Sequence, residues 1–175
     1  MAEYREAPRI ATFSKVSKER FVTDFSEAFP EAAHRAEEIY ETLCLPARAT
    51  KGSAGYDFFM PVTVELAPGE TVKIPTGIRA EMAACYVLLL FPRSGLGFKY
   101  RLQLNNTVGV IDSDYFFSDN EGHIFAKVTN DSNEGKSVTL KEGTGFIQGI
   151  FLPYGITTDD AVTEKRNGGF GSTTK

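Results

Sequence analysis

The stretch Tyr86–Phe91, with the sequence YVLLLF, is the longest apolar run in the chain and the one that most restricts its fold. Successive side chains of a strand point to opposite faces, and here both faces are apolar, so both must be covered. In an antiparallel domain this pattern predicts a closed barrel, a double-sheet jelly roll or a subunit interface. The run is also far too short to span a bilayer.

Five more short apolar or alternating runs accompany this stretch. They are separated by turn residues at the spacing expected of a sandwich or barrel, and Pro68-Gly69 forms a tight turn between the first two. The runs are Val62–Leu66, Thr71–Pro75, Ile124–Thr129, Ser137–Leu140 and Phe146–Leu152. The sequence therefore predicts an all-β domain.

The N-terminal region has a different pattern. Residues 10–13 suggest a short strand, and in Glu27–Leu43 apolar residues recur at every third or fourth position, which is a helical stripe. Pro30 suits the first turn of a helix and Pro46 would end it. We therefore predict one amphipathic helix, beginning near Phe29, that covers one side of a sheet.

The length and charge of the chain limit its class. With 175 residues and 42% hydrophobic content it fits one domain with one core. We predict residues 1–45 as a strand and extra helix packed on that domain, residues 46–156 as the β core, and residues 157–175 as a flexible C-terminal arm. The net charge of −4, without a long Lys/Arg run, argues against nucleic acid as the principal partner.

The cysteines and histidines indicate the cellular compartment and limit the kinds of metal site that the chain can form. Cys44 and Cys85 stand alone and indicate free thiols in a reducing compartment, and the charged residues 1–10 do not resemble a signal peptide, so we expect a cytoplasmic protein without a membrane partner. His34 and His123 lie far apart, without cysteine at ligand spacing. A metal, if used, would therefore be bound by oxygen.

Two clusters combine small residues with polar ones. Gly52–Asp57 (GSAGYD) can turn sharply and leaves one carboxylate at the start of a strand, although it also fits an ordinary loop. Pro92–Gly97 (PRSGLG) brings together a guanidinium, a hydroxyl and glycine-flanked N–H groups. Such a combination can hold phosphate oxygens, but alone it is a weak signal.

Two further clusters follow. Asn105–Tyr115 predicts a hairpin that carries an amide, two carboxylates and an aromatic ring, residues that hairpin tips also use for geometry alone. The glycine-rich tail at 166–173 fits a flexible end, but Phe170 within it would suit a lid that stacks on a base.

The order and spacing of these clusters resemble the trimeric dUTP diphosphatase (dUTPase) family. The resemblance covers roughly Leu45 to Thr173, and five motifs in the family's order are a far stronger signal than any one of them. The motifs correspond to Gly52–Asp57, Pro92–Gly97, Gly109–Tyr115, Gly143–Gln148 (GTGFIQ) and Gly168–Thr173 (GGFGST).

The resemblance implies a jelly-roll-like distorted barrel, with the predicted helix as an addition, and a homotrimer whose subunits share each active site. It also implies an enzyme that hydrolyses dUTP to dUMP and pyrophosphate with Mg²⁺, by attack of water on the α-phosphorus. That reaction keeps uracil out of DNA and supplies dUMP for dTTP synthesis.

The third motif carries the nucleoside and water-activating positions implied by the resemblance. Asp112 matches the carboxylate that orients and deprotonates the water, a role that suits an ionised Asp. Tyr115 matches the ring packed against the deoxyribose. The residues that match the uracil-reading segment are Asn106, Gly109, Val110 and Ile111.

The remaining motifs match phosphate and metal positions. Arg93, Ser94 and Gly95 correspond to the phosphate clamp, with the Ser94 hydroxyl placed to stabilise charge on the leaving pyrophosphate. Gln148 matches an amide near the phosphates. Asp57 matches the carboxylate that holds a magnesium-bound water, so the implied catalytic group includes Asp57 and Ser94 besides the third-motif base.

The tail would complete the site, with Phe170, Gly171 and Ser172 in the substrate-binding fifth motif. Strict spacing places Lys165 where the family usually has Arg, and we favour Arg166 for the γ-phosphate because of its bidentate geometry.

Two further departures from the family pattern are evident. Phe117–Glu121 is an insertion before Gly122, and Gly145 stands where the fourth motif usually has Arg.

Two alternatives remain. The related dCTP deaminase family resembles the chain around Gly122-His123-Ile124, but it places a Glu base where this chain has Ala126-Lys127. A non-catalytic jelly-roll protein that binds nucleotide is the other, although a pure binder has no need of the carboxylate at Asp112. Ammonia release from dCTP and pyrophosphate release from dUTP distinguish them.

Overall fold

A computed structural model describes residues 7–164 and 166, which form three α-helices and eleven strands. The helices are α1 (Lys18–Ala28), α2 (Ala36–Thr42) and α3 (Ser94–Tyr100), with 3-10 helices at Pro30–Arg35 and Ser113–Phe117. The strands are β1 (Ala11–Lys15), β2 (Tyr56–Phe59), β3 (Val64–Leu66), β4 (Thr71–Pro75), β5 (Ile78–Met82), β6 (Tyr86–Pro92), β7 (Leu102–Leu104), β8 (Gly109–Ile111), β9 (Phe125–Asn130), β10 (Val138–Leu140) and β11 (Gly145–Pro153).

All strand pairs are antiparallel, and the fold is mostly β, as predicted. One sheet has the order β2-β11-β6-β8 and a second has the order β4-β9-β7, while β1-β5 and β10-β3 form two-stranded sheets. The six predicted apolar runs correspond to β3, β4, β6, β9, β10 and β11. Strand β1 corresponds to the short strand suggested at residues 10–13, and β5 is a strand that no run indicated.

The apolar run that predicted the fold is β6, which lies between β11 and β8. Leu88 and Leu90 point into the core and are 0% and 1% exposed. The opposite face is only half-buried at Leu89, and Val110, its partner on β8, is exposed. The described chain therefore covers one face of this strand fully and the other only in part.

The prediction of a single helix from Phe29 to Leu43 was wrong in extent. The segment is a 3-10 helix, Pro30–Arg35, followed by α2, and the sequence analysis missed α1 before it. Pro30 separates α1 from the next helix because it has no N–H to donate and because it disfavours a helical conformation at the residue before it. That residue, Phe29, has φ −133°, which is not helical.

Helix α1 forms because its N-terminus is capped and one stripe is aromatic. The Ser17 side chain accepts a hydrogen bond from the Arg20 N–H, and Phe21 and Phe25, four residues apart, are both 0% exposed. They form a small cluster with Val16, Ala36, Ile39 and Val62, next to the main core. The division of the domain at residues 45 and 156 stays a prediction.

Candidate active site

A polar pocket of about 370 Å³ lies where β2, β11 and the end of β6 meet. Asp57 on β2 is paired in register with Gln148 on β11, and Arg93 directly follows β6. The Arg93 Nε lies 3.3 Å from the Asp57 Oδ1. Three separate segments thus bring a carboxylate, a carboxamide and a guanidinium to one place.

Two glycines leave the space that these side chains occupy. A Cβ on Gly55 would lie 2.6 Å from the Gln148 Oε1, so a side chain there would displace the carboxamide. A Cβ on Gly145 would lie 3.0 Å from the Arg93 Nη1 and 3.3 Å from the Asp57 Cβ. Arg93 therefore lies next to Gly145, the position at which the family's fourth motif usually has an Arg.

Helix α3, which was not predicted from the sequence, begins at the edge of this pocket. Ser94 is its first residue and lines the pocket, and Gly95 follows it in the first turn. The first intrahelical hydrogen bonds run from the Leu96 and Gly97 N–H groups to the Arg93 carbonyl. Since the preceding N–H groups of a helix have no intrahelical acceptor, the pocket has donors suited to an anion.

The predicted hairpin at Asn105–Tyr115 was wrong. Strand β7 pairs with β9, whereas β8 pairs with β6, so the two belong to different sheets. Both are edge strands, and an edge exposes backbone N–H and C=O groups that can bind another partner.

A cavity of about 590 Å³ lies beside these edges. Three predicted uracil-reading residues line it: Asn106, Gly109 and Ile111. The fourth, Val110, is 54% exposed on β8. The remaining lining residues are Asp24, Lys73, Leu90, Leu104, Asn105, Asn120, Phe125 and Lys127.

Several of these lining residues carry no signal in the sequence that marks them as part of a site. Asp24 belongs to α1, and nothing in its local sequence marks it. Lys73 and Lys127 are directly opposite each other in the β4–β9 register, which only the sheet topology establishes. Asn120 lies in the stretch recognised as an insertion.

Asp112 and Tyr115 stand at the 3-10 helix after β8. The Asp112 side chain is 51% exposed and its carboxylate contacts the guanidinium of Arg166. The Arg166 Nε also donates to Asp114 at 2.9 Å, and its Cζ lies 5.8 Å from the centre of the Tyr115 ring. Arg166 therefore lies with the third motif in this chain and not beside the pocket at Arg93.

Tyr115 is only 3% exposed. Its hydroxyl donates to the His123 carbonyl at 2.7 Å, and burial raises the pKa of the phenol, so it stays protonated. The tail residues Lys165, Phe170, Gly171 and Ser172 lie outside the described residues.

The predicted residues thus fall into two groups. One surrounds the polar pocket and contains Asp57, Arg93, Ser94 and Gln148. The other belongs to the third motif: Asn106, Gly109 and Ile111 line the larger cavity, whereas Asp112 and Tyr115, with Arg166, line neither cavity. The two cavities have no described lining residue in common. Within the described part of one chain, the motifs therefore form two separate half-sites.

We searched residues 7–164 and 166 for metal-binding clusters and for helices long enough to span a membrane. They contain no group of three or more His, Cys, Asp or Glu residues that could hold a metal ion. Asp57 is the one described carboxylate that lines the polar pocket. The helices of this part of the chain lack the length and apolar character needed to cross a bilayer.

Comparison with known proteins gives consistent matches. The family model for dUTPase matches residues 41–174. A deoxyuridine 5'-triphosphate nucleotidohydrolase from Lactococcus lactis is 46% identical over 132 residues, which cover 74% of this chain and 87% of the relative. A dUTPase structure from Streptococcus mutans has a TM-score of 0.61 at 34% identity, covering 83% of this chain and 97% of that one.

A more distant match is a mutant dUTPase from phage phi11 of S. aureus, whose structure reveals the coordination of a structural Mg(II) ion. It has a TM-score of 0.62 at 22% identity, covering 89% of this chain and 98% of that one. At this level of identity the match concerns the fold alone.

Proposed function

The chain belongs to the dUTPase family, and we propose that it hydrolyses dUTP to dUMP and pyrophosphate with the residues described above. The observation that carries the assignment of the site is the convergence of Asp57, Arg93, Ser94 and Gln148 on one polar pocket. These residues come from three of the family's motifs and are far apart in sequence. A physiological role follows from the reaction, which lowers dUTP and supplies dUMP.

Arg93, Ser94 and Gly95 bind the phosphate chain in this proposal. A guanidinium can make two parallel hydrogen bonds to phosphate oxygens, and the first N–H groups of α3 add donors. The ion pair between Arg93 and Asp57 keeps the guanidinium at the pocket before substrate arrives. The Ser94 hydroxyl and the Gln148 carboxamide stabilise the charge that grows toward the leaving pyrophosphate.

The larger cavity receives the nucleoside. Uracil offers acceptors at its carbonyl oxygens and a donor at N3, so backbone groups on the open edges of β7 and β8, with the Asn106 side chain, can pair with it. Cytosine reverses the pattern at two positions and would leave buried polar groups unpaired. Tyr115 packs against the sugar and leaves no room for a 2′-hydroxyl.

Asp112 is the general base. Its carboxylate takes a proton from the attacking water while the water oxygen bonds to the α-phosphorus. The bond from that phosphorus to the bridging oxygen breaks, and the electron pair leaves with pyrophosphate. The Arg166 guanidinium contacts this carboxylate in the described conformation, and it would move to the γ-phosphate when substrate binds.

The donor set at the polar pocket fits Mg²⁺. This ion keeps several of its waters and binds through one or two carboxylates plus substrate phosphates, without a protein cage. Asp57 would hold it through a bound water, with Gln148 nearby. When bound, the ion supplies neutralisation of phosphate charge.

A homotrimer with shared sites is the assembly that we infer. The separation of the two half-sites supports it, because a substrate that needs both pockets can be held by pockets of neighbouring subunits. The half-buried face of β6 around Leu89 supplies an apolar surface for such contact. We also place the protein in the cytoplasm, where its substrate and reduced thiols belong.

The test is pyrophosphate release from a panel of dUTP, dCTP, dTTP and UTP in the presence of Mg²⁺. We expect turnover with dUTP and little with the other three, since the base and the sugar are each read by their own contacts. Comparable turnover of dCTP or UTP would contradict the assigned pocket. Ammonia release from dCTP would indicate a deaminase, and binding of dUTP without pyrophosphate release would indicate a non-catalytic protein.

A further inference from the structure

The loop 116–123, which follows Tyr115 and contains the insertion, folds back onto the ring that precedes it. The Asn120 Nδ2 donates to the Tyr115 hydroxyl at 2.8 Å, and that hydroxyl donates to the His123 carbonyl at 2.7 Å. The Asn120 Oδ1 accepts from the Gly122 N–H at 3.2 Å. Because that backbone group can only donate, the orientation of the Asn120 amide is fixed, with its donor toward Tyr115.

The same loop is attached to helix α1, and its two shortest links are made by Glu121 and His123. The Glu121 carboxylate accepts hydrogen bonds from the Ser17 N–H and hydroxyl, each at 2.7 Å. The His123 Nδ1 lies 2.6 Å from the Asp24 Oδ2, and its Nε2 accepts from the Gly77 N–H at 2.8 Å. Both links join residues that are about a hundred positions apart in the sequence.

The backbone of the loop is itself constrained by these links. Glu121 adopts φ +61°, a left-handed conformation that costs free energy for a residue with a Cβ. The two hydrogen bonds from Ser17 hold it there. Glu121 and His123 flank Gly122, whose N–H contacts Asn120, so the attachment to α1 is transmitted to the amide that contacts Tyr115.

We propose that Asn120 is a positioning residue for Tyr115, and that α1 holds the Asn120 loop so that this helix strengthens the selection of deoxyribose over ribose. This inference rests on the proposed function, in which Tyr115 packs against the sugar. Asn120 and Asp24 both line the larger cavity, which receives the nucleoside in the proposed function. The loop and the helix therefore lie beside the position of the bound nucleoside. A ring free to shift would accommodate a 2′-hydroxyl more easily.

The cleanest variant is Asn120→Asp. It keeps an acceptor for the Gly122 N–H and for the Ser118 hydroxyl, which lies 2.7 Å from the Asn120 Oδ1, and removes the donor to Tyr115. The matched control is Asn133→Asp, the same chemical change at an exposed turn. The readout is the ratio of kcat/KM for dUTP to that for UTP, which is independent of the amount of folded enzyme.

For Asn120→Asp we expect the dUTP:UTP ratio to fall by about three- to tenfold, the effect of one hydrogen bond. We expect no fall for Asn133→Asp. In a Tyr115→Phe background, which lacks the hydroxyl, Asn120→Asp should change the ratio no further. Glu121→Gln, which weakens the link to Ser17 and leaves Asn120 and Tyr115 intact, should also lower the dUTP:UTP ratio. If Asn120→Asp does not fold, the result for Glu121→Gln alone decides whether the inference holds.

An unchanged ratio in folded Asn120→Asp or, failing that variant, in Glu121→Gln overturns the inference. So does an equal fall in Asn133→Asp, or a full further effect of Asn120→Asp in the Tyr115→Phe background. If the wild-type protein does not hydrolyse dUTP, the proposed function fails and the inference fails with it. An active wild-type enzyme with an unchanged ratio refutes the inference only.

Discussion

Acid should destabilise this protein through one buried histidine. His123 is 0% exposed, and burial lowers its pKa below the ordinary value of 6.5, more than the hydrogen bond and charge of Asp24 raise it. Arg20 lowers this pKa further, whereas Glu121 raises it. Because the Nε2 accepts from the Gly77 N–H, the neutral ring carries its proton on Nδ1 and donates it to Asp24.

The sign of the effect follows from proton linkage. Above pH 6.5 neither the folded nor the unfolded chain protonates this histidine, so the stability is fully present. As the pH falls below that value, the unfolded chain binds a proton that the folded chain does not, and the free energy of unfolding decreases. The loss has a limiting slope of about 1.4 kcal/mol per pH unit, and it stops growing once the pH reaches the lowered pKa of His123 in the folded chain.

Asp24 does not contribute in this range. Burial alone would raise its pKa, but the hydrogen bond and charge of His123 and the charge of Arg20 together lower it below 3.8. The stability that depends on ionised Asp24 is therefore present above that value and is lost only in stronger acid.

The assay is urea unfolding at fixed protein concentration across this pH range, for the wild type, His123→Gln and His34→Gln. We expect His123→Gln to be less stable at neutral pH, by about 1–3 kcal/mol for the disturbed buried hydrogen bonds, and to show less pH dependence than the wild type. His34 is exposed, so His34→Gln should keep the wild-type dependence. If the free energy of unfolding depended on pH equally in the wild type and in His123→Gln, His123 would not be the source of the acid sensitivity.

Three further predictions concern the site and the core. Asp112→Asn should lower kcat by about 10²–10⁴-fold, and calorimetry should show that the variant still binds dUTP. Asp114→Asn, the same charge change nearby, should not lower kcat. Undiminished turnover in Asp112→Asn would exclude Asp112 as the base. Removal of divalent metal with EDTA should abolish pyrophosphate release, and added Mg²⁺ should restore it, whereas activity that persists in EDTA would contradict the proposed use of the ion. Phe21→Ala should lower the free energy of unfolding by about 3–5 kcal/mol in urea, because Phe21 is 0% exposed, and a loss below about 1 kcal/mol would show that the cluster around α1 contributes little.

Several structural elements could be predicted because their signal is local. Short apolar or alternating runs indicated β3, β4, β6, β9, β10 and β11, since the period of a strand appears within a few residues. The polar clusters at Gly52–Asp57 and Pro92–Gly97 were recognisable because small residues beside charged ones are unusual within a core. These clusters, with their order along the chain, were sufficient to identify the family.

The helices were predicted less well. The Phe21 and Phe25 pair is a valid helical spacing, but two aromatic residues give a weak pattern, and α1 was missed. Helix α3 has seven residues, two of them glycine, which disfavours a helix in isolation. Its formation depends on the contacts that surround the start of the helix at Arg93.

The fold class, the family and the chemical types of the site residues could be established from the amino-acid sequence, because each run and each motif is formed by residues close together in the chain. The tertiary structure decided which of those residues meet. It placed β7 and β8 in different sheets, brought Arg93 against Gly145, and joined Asp24 to His123. Such contacts connect segments separated by tens of residues, and they depend on strand order and burial, for which local sequence carries no periodic signal.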